Sequence, residues 1–260
     1  CKGKEHKNMK KWMTKAAALV LAGSMLLQPA FVQADTQTQT QEEQTTETKQ
    51  SDQKVIVIDA GHQTRAMSAT EPNGPGSKTR KAKVTGGATG VATHLPEYKL
   101  NLIVAKKLKK ELTSRGYKVI MVRTKNNVRL SNVDRAKIAN KYKADAFIRI
   151  HANSANSSSV KGALTIAPQN SNRYMKKSVR KKSQALSKKV LKAFCKATGA
   201  KSRGVMYTNT MTGINWCKVP VTIVEMGFLS CPSEDKKMSK SSYQKKMVRG
   251  IANGIDNFFA

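Results

Sequence analysis

Aromatic residues are scarce in this 260-residue sequence, with six Phe, six Tyr and two Trp. No platform for stacking nucleic-acid bases is evident, although the charge alone would suit a polyanion. Acids are scarce too, at 16 Asp and Glu against 48 Lys and Arg, a formal net charge of +32. Cysteine is limited to Cys1, Cys195, Cys217 and Cys231, with no CxxC spacing. That argues against a cysteine zinc site or a disulfide framework, and a Cys217–Cys231 bridge has no support. The apolar run Ala16–Leu27 spans 12 residues, short of the ~20 that cross a bilayer as a helix. No HExxH-type local metal motif is present, so any metal site must be assembled from separate segments.

What is present begins with an export pattern. Lys10 and Lys11 follow Met9, the apolar run comes next, and Val32-Gln33-Ala34 closes it. A basic stretch, a short apolar core and a small-x-small site describe a secretory signal peptide. The expectation is a signal over residues 1–34 with cleavage after Ala34, an uncleaved anchor being the alternative. Residues 35–54 are almost wholly Thr, Gln, Glu, Asp, Ser and Lys. Such a segment buries too little apolar surface to offset its ordering entropy and reads as a disordered polar linker. Residues 55–260 are enough for one domain with a substantial core. That domain holds 40 Lys and Arg against 10 Asp and Glu, a formal +30. For an exported protein such a field favours anionic wall polymers over nucleic acid. The competing reading is that runs such as Lys106-Lys107 and Lys109-Lys110 are solvated helix faces.

Val55-Ile56-Val57-Ile58 reads as a strand buried on both faces, followed by a long polar loop from Gln63 to about Leu95. Pro96 opens a helix with Leu100, Val104, Leu108 and Leu112 on one face, and Arg115-Gly116 closes it. Strands are expected over 117–122, 146–150, 162–167 and 221–224. Helices are expected over 132–142, 178–198 and about 234–258. Strands alternating with helices predict a single α/β domain with a mostly parallel sheet covered on both faces.

In such sheets ligands bind beyond the carboxyl ends of the strands. His62, His151 and Glu225 stand at such ends, and Glu97 sits in the first turn of the helix after the long loop. Two His and one carboxylate give the three protein ligands of a catalytic zinc, and a second carboxylate can carry the proton. Each residue alone has a plainer reading. A strand-end His is commonly a hydrogen-bonded structural group, Glu97 a carboxylate favoured by the helix dipole, and Glu225 a partner for a Lys or Arg. His94 is a rival, as a substitute ligand or a group behind the ligands.

These residues lie in segments that closely resemble the zinc-dependent N-acetylmuramoyl-L-alanine amidases of the Amidase_3 type. The matching stretches are Val57-Ile58-Asp59-Ala60-Gly61-His62, Pro96-Glu97-Tyr98-Lys99-Leu100-Asn101-Leu102, Gly116-Tyr117-Lys118-Val119 with Val122-Arg123, Arg135 with Ala139-Asn140, Ala144-Asp145-Ala146-Phe147-Ile148-Arg149-Ile150-His151-Ala152-Asn153, and Val224-Glu225-Met226-Gly227-Phe228-Leu229-Ser230. The resemblance implies a roughly six-stranded sheet. It implies His62, Glu97 and His151 as zinc ligands and Glu225 as the catalytic glutamate. It also implies hydrolysis of the muramoyl–L-alanine amide in bacterial peptidoglycan. The sequence departs from the family pattern at Gln63 and Thr64, where two Gly commonly follow the first His, and in the length of the 63–95 loop. The expected cofactor is Zn2+, the partners are peptidoglycan and anionic wall polymers, and the location is secreted or wall-associated, with no stable membrane span after cleavage. The alternatives are a zinc peptidase acting within the stem peptide and a non-catalytic cationic wall-binding module.

Overall fold

The computed structural model describes residues 53–260, so the export segment and all but the last two linker residues lie outside the described residues. Those two residues are bonded to the body of the fold. Gln53 Nε2 donates to Gly116 O at 2.7 Å, and Lys54 O accepts from Lys118 N at 3.0 Å.

The chain order is β1 (Val55–Ala60), β2 (Met67–Pro72), β3 (Arg80–Val84), α1 (Glu97–Ser114), β4 (Lys118–Met121), α2 (Asn132–Lys141) and β5 (Ala146–Asn153). It continues with β6 (Ala163–Pro168), α3 (Lys177–Thr198), β7 (Ser202–Thr208), α4 (Thr212–Asn215), β8 (Val221–Phe228), α5 (Pro232–Ser239) and α6 (Ser241–Phe259). Six strands form one sheet in the order β4-β1-β5-β8-β6-β7. All neighbours are parallel except β6 and β8. The α/β class and mostly parallel six-stranded sheet are as expected.

The apolar runs are continuous because both sheet faces are covered. Ile56, Ile58, Ile148 and Ile150 pack beneath α1, α3 and α6. Val57, Phe147 and Ile223 pack on the other face with Ala136 and Ala139 of α2 and Ile214 of α4. In α1 the predicted stripe Leu100, Val104, Leu108 and Leu112 is fully buried. α2 starts at a capping box in which Ser131 and Asp134 satisfy each other's backbone N–H groups.

Four expectations are corrected. The 63–95 segment is not loop throughout, since it carries the antiparallel β2–β3 hairpin. This hairpin is mostly exposed, so it shows no apolar alternation. It is held by side chains instead: Trp216 Nε1 donates to Pro72 O at 2.9 Å, Asn215 Nδ2 to Asn73 O at 2.9 Å, and Lys81 Nζ to Thr210 O at 2.8 Å. Strands β5 and β8 run beyond His151 and Glu225, which therefore lie inside the strands. β7, largely exposed at the sheet edge, was not anticipated. The C-terminal helix is two helices, broken at extended Lys240 (ψ 129). Gln244 Nε2 bonds the carbonyls of Met238 and Ser239, at 2.8 and 3.3 Å, and so satisfies the end of the first helix.

Candidate active site

β1 delivers His62 to the sheet's carboxyl edge, and the turn after it is unusual. His62 has φ 59, a left-handed conformation that costs a non-glycine residue about 1–3 kcal/mol and needs external support. The support is Arg135, whose Nη2 donates to His62 O at 3.1 Å, and Gly61 N, which donates to Ile150 O at 2.9 Å. Gln63, where the family commonly has Gly, is fully buried. Its Oε1 accepts from Leu130 N at 3.1 Å and from Arg135 Nη2 at 2.9 Å, so it braces the same turn.

The three expected ligand residues converge. The donor atoms of His62, Glu97 and His151 lie within 4.8 Å of one another. Glu97 Oε1 is 3.2 Å from His62 Nε2 and 3.1 Å from His151 Nδ1. The imidazoles meet edge to face with centroids 4.8 Å apart. Two of the three residues, His62 and Glu97, are held from behind. His62 Nδ1 lies 2.9 Å from Thr85 O, which makes Nδ1 the donor and leaves Nε2 with a free lone pair. Glu97 accepts from Ala88 N at 2.9 Å, Ala152 N at 3.1 Å and Asn101 Nδ2 at 3.2 Å. His94 is exposed and stands outside the group.

Glu225 shares a rung of the β5–β8 ladder with His151, so both side chains project to one face of the sheet. Its Oε2 is buried with no hydrogen-bond partner, as is His151 Nε2. Both residues and His62 line a cavity of about 480 Å³, which is walled by Arg80, Lys81, Ala82 and Val84 of the hairpin and by Met211 to Gly213.

The electrostatics follow from burial. Burial pushes the Glu225 carboxyl up to about 8, the charge of Glu97 adds to this, and Arg149 opposes it. Burial pushes His151 down to about 4, against the pull of Glu97. Burial also opposes ionisation of Glu97, but hydrogen bonds and charge from His151 and His62 hold it well below the usual carboxylate range.

These residues fit a metal ion. Two imidazoles and a carboxylate are the donor set of a three-ligand zinc site. Two buried polar atoms lack partners, His151 Nε2 in the group and Glu225 Oε2 beside it in the same cavity lining, and two glycines keep the cradle clear. A Cβ on Gly61 would fall on the His151 ring, and one on Gly87 would sit 2.8 Å from Glu97 Oε2 and 2.9 Å from His62 Cγ.

The sequence from residue 56 to 257 matches the family model for N-acetylmuramoyl-L-alanine amidase, Amidase_3. The chain belongs to this amidase family. A putative amidase of Buchnera aphidicola is 28% identical to it, over 79% of this chain and 96% of its own length. The amidase LytC of Bacillus subtilis is 27% identical over 65% of this chain, which spans only 32% of that longer protein. Among solved structures, the catalytic domain of the amidase CwlV from Bacillus (Paenibacillus) polymyxa var. colistinus superposes with a TM-score of 0.63 at 29% identity, covering 79% of this chain and 98% of that one.

Beneath the amidase site lies a charged cluster that residue-by-residue reading passed over. Buried Asp59 accepts from Arg135 Nη1 at 2.6 Å and from Arg149 Nε at 2.9 Å. Arg123 Nε and Nη2 donate to Ala60 O at 2.7 Å and Gly61 O at 3.0 Å. The available signal was charge inside apolar strands, Asp59 after VIVI and Arg149 within AFIRI.

Proposed function

We propose that this amidase cuts the amide between N-acetylmuramic acid and L-alanine in peptidoglycan, with His62, Glu97 and His151 holding Zn2+ and Glu225 as the proton carrier. The observation that carries this reading is the convergence of the three donor groups beside a partnerless buried carboxylate on the next strand. When bound, zinc supplies Lewis acidity towards the scissile carbonyl and towards water.

The remaining work falls to the chain. Glu225 takes a proton from the attacking water as its oxygen bonds to the carbonyl carbon, then gives that proton to the leaving nitrogen as the C–N bond breaks. The products are a lactyl carboxylate on the sugar and a free L-alanine amino group on the stem. Thr85 O and the Ala88 and Ala152 amides orient the metal ligands, and Val84, Ile166 and Ile223 give the cavity an apolar part to its wall.

Mass spectrometry of fragments released from purified peptidoglycan tests the reading. A new L-alanine amino terminus is expected. Cleavage inside the stem with the muramoyl–alanine bond intact would assign the zinc peptidase chemistry instead. Loss of wall lysis in the Glu225→Ala variant, with zinc and wall binding kept, favours the enzyme over the non-catalytic binding module, whereas wall binding by wild type with no fragment released would favour the module.

The reading also places the protein at the wall, exported by residues 9–34 and retained there by the +30 charge of residues 55–260. N-terminal sequencing of secreted protein should begin at Asp35. Wall binding should weaken between low and high salt, because exposed charges are screened within about 8 Å at physiological ionic strength.

A further inference from the structure

We infer that Arg149, with Arg80 and Lys81, forms a carboxylate-binding subsite inside the catalytic cavity. The preferred substrate is then a stem peptide whose second residue bears a free carboxylate on its α-carbon. This rests on the amidase reading and adds the substrate class to it.

Arg149 lies within an apolar strand and is only 3% exposed. In register it faces Ile223, two residue pairs before the His151–Glu225 rung. Residues two apart on a strand share a face, so Arg149 stands about 7 Å behind the reactive rung, on the same side of the sheet. Two of its nitrogens are committed, Nε to Asp59 Oδ2 at 2.9 Å and Nη2 to Asn132 Oδ1 at 2.8 Å. The third, Nη1, makes no hydrogen bond among the described residues. It lies against Gly213 in the cavity wall, where a Cβ would collide with it. A residue without a side chain thus stands where the guanidinium opens on the cavity.

The charge balance points the same way. Asp59 has one negative charge for two guanidinium groups, and Arg135 already pairs with it at 2.6 Å. Arg80 and Lys81 border the same cavity, and among the described residues the one acid lining it is Glu225. A partly paired cation beside apolar Ile166 and Ile223 is weakly screened and favours an anion.

Substrate dimensions fit this spacing. From the scissile nitrogen to a carboxylate on the second α-carbon is one 3.8 Å Cα–Cα step with a single bond at either end, roughly 6–7 Å when extended. A stem with its amide at the His151–Glu225 rung therefore brings that carboxylate to Arg149.

The test uses the zinc-loaded enzyme and two synthetic muramoyl tetrapeptides, identical except for a free carboxylate or a carboxamide on the second α-carbon. The expected kcat/KM is on the order of tenfold higher for the carboxylate, the scale of one charge-assisted hydrogen bond. In Arg149→Gln this ratio falls towards one while the carboxamide substrate is still cleaved, whereas a merely structural loss would slow both alike. Removing Arg80 and Lys81, both exposed, should lower the ratio several-fold without touching the Asp59 cluster. Equal turnover of the two substrates by wild type overturns the inference and leaves the amidase reading intact. Calorimetry of the two released peptides on metal-free wild type reads the preference without turnover. A carboxylate preference there with no cleavage of either substrate sinks the amidase reading alone, and equal affinity sinks the inference.

Discussion

Glu225 sits directly across from His151 in the β5–β8 ladder. The pairing register of two strands more than 70 residues apart thus sets the placement of the proton carrier beside a candidate metal ligand. A slip of one residue would turn Glu225 to the opposite face, beneath α3 and α6.

Glu225→Gln keeps the shape and removes the proton-carrying function. Turnover of peptidoglycan should fall by roughly 10²–10⁴-fold, the usual worth of a positioned acid–base group. Zinc content by elemental analysis should stay at the wild-type level. Retained turnover would exclude Glu225 from the chemistry.

Chelation should abolish activity, and zinc should restore it. Metal that binds only the folded state also stabilises it, so the thermal midpoint should drop on chelation. His62→Ala and His151→Ala should lose bound zinc together with activity. A zinc-replete His151→Ala variant would contradict the proposed ligand set.

Gly61→Ala tests the cradle without replacing a ligand. The added methyl would strike the His151 ring, so zinc affinity should fall while the far-ultraviolet circular dichroism is unchanged. Unaltered zinc affinity would show that the His151 ring can move aside without consequence.

The Asp59 cluster predicts acid sensitivity. Burial raises the Asp59 carboxyl, but the charges of Arg135 and Arg149 outweigh this and hold it well below the usual range. A carboxyl lowered by folding adds stability above its unfolded value of ~3.9, and that contribution disappears as pH falls through the folded value. Asp59→Asn should destabilise at neutral pH by about 3–5 kcal/mol, the cost of stranding buried charge. It should also flatten the acid limb of a stability–pH curve. Denaturant titrations from pH 7 downwards measure both.

Asp235, fully within α5, reaches back to the strap ahead of Glu97. Its carboxylate accepts from Ala92 N at 2.8 Å, Thr93 N at 2.7 Å and Thr93 Oγ1 at 2.6 Å. Asp235→Ala should cost about 1–3 kcal/mol by leaving those donors unmet. Amide exchange should quicken at Ala92 and Thr93 first, and equal rates in both proteins would remove Asp235 as the anchor.

Much of this was legible in the sequence because it was written in apolar periodicity. The runs before His62, His151 and Glu225 announced buried strands, and the Leu100–Leu112 stripe fixed the helix that presents Glu97. The hairpin was not legible, because polar strands such as Arg80–Val84 are specified by bonds to residues more than 120 positions away. The break at Lys240 has neither Gly nor Pro to mark it and depends on one Gln244 side chain. The shared face of Arg149 and His151 follows from their two-residue spacing in β5, but the subsite also required register, since only the β5–β8 pairing brings Glu225 beside them.

The hairpin's fastening has a further implication. Its tip, its second strand and the segment from Asn209 to Trp216 are clasped through Asn73, Lys81, Asn215 and Trp216. Two lips of the cleft, distant in sequence, are therefore pinned to each other by side chains. Anyone transplanting or shortening the hairpin in a related scaffold must carry the Asn209–Trp216 stretch along with it, or the graft will arrive without its hinge pins.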